Sequence, residues 1–272
     1  MKRLFFAAFM LSLVVSAVPA QKTQVAEDRS KVRREMIKEL AIERTAGNVD
    51  SVTVSEVGVV ESFNKNARFL GVAQSGFATI YTTCDPAILL ADLGLTLGPD
   101  DRCLAIPAGS SANATFEDMA RITIPGRTVS NIIYMMNNHT INWEFLNDTA
   151  AASFASMSYA PRITFESVAL NDPAAIDPVT GLPMNGKFST TGNGSKFQSG
   201  TIAANSSTTF VDSYSRANTL GFSREYFRQI GLPESVINNI YRNPVTIRLG
   251  MRLSGRSIPF GQFIYTARFF GN

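Results

Sequence analysis

The chain holds a single histidine, His139, two cysteines and one tryptophan in 272 residues. Each scarcity removes a class of function. Ser-His-Asp and Cys-His sites need an imidazole as base, and His139 is the sole candidate. It stands in Asn137-Asn138-His139-Thr140, which reads as a turn between two strands. No G-x-S-x-G elbow accompanies it. Two cysteines and one histidine make a poor zinc set, which needs three or four ligands. A lone Trp, Trp143, is thin provision for the aromatic platforms of a carbohydrate cleft. A carboxylate-pair hydrolase remains open, because folding and not spacing brings such acids together.

Nucleotide and cation motifs are missing as well. The chain has no P-loop, no G-x-G-x-x-G and no EF-hand loop. Ser62-Phe63-Asn64-Lys65 matches S-x-x-K, and Ser111-Ala112-Asn113 gives an S-x-N. There is no K-T-G, however, and Ser62 sits in strand-like sequence rather than at a helix start. Asp172 and Asp177 could hold calcium through a flexible loop. The simpler reading is that Asp-Pro initiates turns there. The expectation is a protein with no catalytic site, no cofactor and no metal.

Charged residues make up 17% of the chain, and apolar runs long enough to span a bilayer do not occur after residue 20. Residues 1–20 themselves read as a cleavable signal peptide. Lys2 and Arg3 begin it, an apolar run from Leu4 to Val18 follows, and Val18-Pro19-Ala20 presents small residues before Gln21. Cleavage is expected between Ala20 and Gln21. Losing Lys2 and Arg3 leaves the remainder close to neutral, so no basic footprint for nucleic acid remains. The expected location is secreted, cell-surface or periplasmic. In such a compartment Cys84 and Cys103 should form a disulfide. Five N-x-S/T sequons occur, at Asn113, Asn138, Asn147, Asn193 and Asn205, and matter only in a host that glycosylates them.

What is present is mainly β. Residues 21–48 differ, with seven bases, five acids and a narrow apolar stripe of Val32, Met36 and Leu40 at helical spacing. They read as a charged helical arm, ended by Gly47. From Ser51 the period becomes 2, with a break in phase between Val52/Val54 and Val57/Val59. Residues 49–272 read as one β-rich domain, an antiparallel sandwich. Residues 67–83 form a strand pair or bent strand. Strands follow at 119–124, 129–136, 140–146 and 162–170. Val245, Ile247, Leu249, Met251 and Leu253 alternate with polar residues as an inward face. Phe263, Tyr265, Ala267 and Phe269 share a face of the last strand. Asp85-Pro86 starts a helical insert between the cysteines, ended by Gly94. Ser223 caps a helix stopped by Gly231, and Pro233 starts a second one that Pro244 closes. Residues 171–200, rich in Pro, Gly, Asn and Ser, read as an exposed loop or long hairpin connection.

The layout of leader, arm, one disulfide and a last strand bearing Tyr265 resembles bacterial chaperone–usher pilins in architecture. It shares no motif with them, and a charged helix ahead of a donor strand departs from their pattern. The resemblance implies a subunit that completes a neighbour's sheet by strand addition. The expected function is therefore a non-enzymatic structural or adhesive subunit of a surface filament, a homo-oligomer joined through its arm. Val32, Met36, Leu40, Val52, Val54, Val57 and Val59 are the candidate contacts. The alternative is a monomeric ligand-binding module, followed by a hydrolase. An outer-membrane barrel comes last, because the chain ends in Gly271-Asn272 rather than an aromatic.

Overall fold

The computed structural model describes residues 29–38 and 67–272, with backbone alone for 213–220. Residues 29–38 are helical, α1. The expected signal peptide, its expected cleavage point at Ala20/Gln21, Ser62 and the valines at 52, 54, 57 and 59 lie outside the described residues.

Among the described residues, eleven strands form two sheets. Sheet A orders β3 (Arg102–Ala105), β2 (Ala78–Tyr81), β11 (Phe260–Gly271), β5 (Ile132–Asn147) and β9 (Ser206–Ser223). β1 (Arg68–Gln74) pairs with β11 beyond β2. Sheet B orders β4 (Ser111–Ile124), β10 (Val245–Arg256), β6 (Ser153–Ser167) and β7 (Lys187–Thr191), and β8 (Lys196–Ile202) also pairs with β6. Every pairing is antiparallel except the short one between β2 and β3. The inward faces pack as one sandwich core. Ile247, Leu249, Met251 and Leu253 of β10 meet Phe263, Tyr265, Ala267 and Phe269 of β11 in that cluster, all of them fully buried.

Local sequence explains the helices. Asp85 caps α2 (Pro86–Leu93), its carboxylate accepting from the amides of Ala87 and Ile88. Gly94 closes the helix in the left-handed conformation. Cys84 and Cys103 are bonded across a Cα separation of 5.8 Å, which staples α2 to β3. Ser223 caps α3 (Arg224–Gln229), and Pro233 opens α4 (Glu234–Arg242). This pair closes the end of the sandwich where β9 stops and β10 begins. Phe227, Val236, Ile237 and Ile240 are fully buried there, and the Tyr241 hydroxyl donates to the Phe222 carbonyl at 2.8 Å.

One segment differs from expectation, and two settle between alternatives. The strands expected at 129–136 and 140–146 are one continuous strand, β5, so His139 is not in a turn. The Asn-Asn-His turn signal yielded to tertiary pairing on both sides of the strand. Residues 171–200 belong to a hairpin with a long connection: β6 and β7 pair across 168–186, and β7 and β8 are two halves of one edge strand on β6, interrupted at 192–195. The loop is confined to 172–186. Residues 67–83 are a single bent strand along β11, broken at Ser75-Gly76-Phe77. Gly76 is required there, because a Cβ would lie 2.2 Å from the Asp100 carbonyl oxygen.

Candidate functional site

β5 and β11 are buried on both faces, so the outward face of sheet A is covered over these central strands. α1 is one of the covering elements. Arg33 reaches the sheet and donates from Nη2 and Nε to Glu144 Oε2 at 2.7 and 2.9 Å. The two side chains are only 12% and 6% exposed, and the guanidinium also lies 5.6 Å over the Phe260 ring. Arg34 donates to the carbonyls of Ala91 and Asp92 at 2.7 and 3.1 Å, at the negative end of α2. The apolar share of the contact is small. Ile37 is buried with Tyr81, Leu89, Leu93 and Phe260, and Met36 packs beside it. Tyr81 ties α2 to the sheet by donating to Asp92 at 2.8 Å. Burial and that carboxylate push its hydroxyl up to about 12.

A groove of about 240 Å³ runs between α1 and the sheet. Arg29, Val32, Met36 and Phe260 line it, with Ser207 and Thr209 of β9 opposite. Farther along the same face lies a polar row. Thr79, Gln262 and Asn142 are cross-strand neighbours on β2, β11 and β5, all buried. Among the described residues, Thr79 Oγ1, both polar atoms of Gln262 and Asn142 Oδ1 have no hydrogen-bond partner. Each such group costs about 1–3 kcal/mol.

Of the candidate contact residues, Val32 and Met36 lie on α1 and line this groove, with Val32 48% exposed. Leu40 and the four valines lie outside the described residues. The narrow stripe missed Arg33, Arg34 and Glu144, which do most of the holding. A lone acid in the otherwise apolar run Trp143-Glu144-Phe145 was the available signal.

The other sequence candidates have structural occupations. His139 is 1% exposed and shares a 2.6 Å hydrogen bond through Nδ1 with the Tyr159 hydroxyl, linking the two sheets. Its ring stacks on Tyr265 at 4.7 Å, and Tyr265 donates to Asn137 Oδ1 at 3.2 Å. Asp172 and Asp177 cap turns, accepting from Ala174 and from Val179 and Thr180. Among the described residues no group of three His, Cys, Asp or Glu side chains is placed to hold a metal, and no helix is long and apolar enough to cross a membrane. The Asn147 sequon is a buried turn: its amide donates to the carbonyls of Ala151, Ile202 and Ala203. No family model matches the chain, and no curated protein matches it.

Proposed function

We propose that this protein is an exported, non-enzymatic structural or adhesive subunit that assembles by exchange of its arm between copies. The observation that carries the reading is the seat of α1. Among the described residues it is held by one buried ion pair, two hydrogen bonds to carbonyls and a single fully packed side chain, Ile37. Residues 39–66 separate it from β1. At about 3.4 Å per extended residue, that length reaches a neighbouring molecule. A second copy's α1 can make every contact that the chain's own α1 makes, and such exchange is a low-cost route to assembly. The disulfide fits an oxidising compartment. The sole imidazole is committed to the core, which supports a role other than histidine-based catalysis. A ligand-binding module would use the groove, but about 240 Å³ is below the ~300–1,000 Å³ of small-molecule sites.

The test uses two full-length variants, Arg33→Glu and Glu144→Arg. Each alone places like charges together and should stay monomeric. Mixed, they restore the ion pair only when α1 of one chain seats on the sheet of the other. Light scattering should show mixed oligomers. A wild-type chain that is monomeric at all concentrations, with a mixture that behaves as the sum of its parts, overturns the reading.

A further inference from the structure

The loop that joins β6 to β7 displays apolar side chains from a rigid frame. Val179 is 90% exposed and Leu182 is 64% exposed. The frame is hydrogen-bonded throughout. Asp177 N donates to the Leu182 carbonyl at 2.8 Å, Gly181 N to the Asp177 carbonyl at 2.8 Å, and Met184 N to the Ala175 carbonyl at 2.8 Å. Ala175 and Met184 anchor the base of the loop in the core. A loop so ordered has already lost the entropy that docking would otherwise cost. Residues 168–186 also carry two acids, Asp172 and Asp177, and no base.

The groove beside α1 is complementary. Val32, Met36 and Phe260 give it an apolar floor. Arg29 on its rim makes no ion pair among the described residues, and the lining carries two bases against one acid. It has room for a valine or leucine side chain. The two features sit at opposite ends of the strands. Glu144 and Phe260 lie where β5 runs on toward β6, whereas the loop leaves the far end of β6 after Ser167.

We infer that the Val179–Leu182 loop of one copy docks in the α1 groove of the next. The inference rests on the filament reading and names the surface that propagates it. A protrusion and a recess at opposite ends make a heterologous contact, which builds an open line wherever its rotation does not close a ring. The axial repeat follows from the fifteen residues of β6 and is about 50 Å.

Two measurements on the full chain test it. The first pairs Val32→Cys with Leu182→Cys in one chain under mild oxidation. A ladder of disulfide-linked trimers and higher species is expected, while each single variant stops at a dimer. The second is Val179→Asp with Leu182→Asp. Both side chains are exposed, so the fold should be kept and assembly should fall at least tenfold. Filaments that give no ladder and tolerate the aspartates overturn this inference and leave arm exchange standing. A wild-type chain that never assembles overturns both.

Discussion

The outer faces of the two sheets solve opposite problems. Sheet B faces water, and its polar groups pair with one another. Arg248 on β10 bridges Asp118 of β4 and Glu166 of β6. Arg162 pairs with Glu117 at 3.2 Å, Thr123 with Thr246 at 3.0 Å and Thr164 with Ser189 at 2.8 Å. Sheet A is covered over β5 and β11, and its polar groups are left incomplete: among the described residues four polar atoms of the Thr79–Gln262–Asn142 row have no hydrogen-bond partner, and Glu144 depends on a helix from outside the sandwich. Polar residues beneath a cover suit the proposed exchange of the arm. An entirely apolar face would hold α1 more tightly but would expose a sticky surface whenever the arm left.

The largest effect should come from the core both faces share. Ile247→Asp buries a charge with no counter-ion where the side chain is now fully enclosed, and should remove about 4 kcal/mol or more, abolishing folding. Soluble expression and circular dichroism would show it; a folded variant would place β10 one residue out of register.

The two ion-pair systems then sharpen the contrast. Glu144→Ala strands a guanidinium that is 12% exposed and should weaken α1 docking by about 3 kcal/mol, seen as faster proteolysis within the arm. Arg248→Ala removes contacts to two acids instead of one, but on a wetter face, and should cost about 1 kcal/mol in chemical denaturation. Equal costs would erase the distinction between the faces.

Smaller still, and of opposite sign, is the polar row. Thr79→Val replaces an unpartnered hydroxyl with a methyl of the same shape and should raise stability by about 1 kcal/mol. Thr164→Val breaks a bond to Ser189 and should not. Matched thermal melts compare them directly.

The last effect is absent at neutral pH and appears only in alkali. The Tyr81 hydroxyl is raised in the folded state, so unfolded chains lose that proton first, near the ordinary value of 10. Stability present below pH 10 should therefore fall between pH 10 and about 12. Absorbance titration should lose a late component in Tyr81→Phe, with α2 less firmly tied to the sheet.

Much of this was legible in the chain because it is local. Asp85, Pro86 and Gly94 mark both ends of α2; Ser223, Gly231 and Pro233 punctuate the late helices; the five inward residues of β10 alternate without a break. Capping and period 2 depend on a few adjacent residues, so sequence alone determines them. The cysteine pairing was also readable, from count and compartment. What surrounds a residue from distant parts of the chain was not. His139 carries a turn-like neighbourhood, yet two flanking strands and Tyr159 from the opposite sheet decided its place. Whether Glu144 would meet water or Arg33, 111 positions away, is a question of which face α1 covers. The rigid apolar loop at 172–186 reads as ordinary Pro-Gly connection until its frame of hydrogen bonds is seen. Sequence determined the elements and their inward faces, because those follow from local periodicity. The tertiary structure decided which outer face is covered and by what, because burial is set by the sum of contacts between segments that share no local pattern.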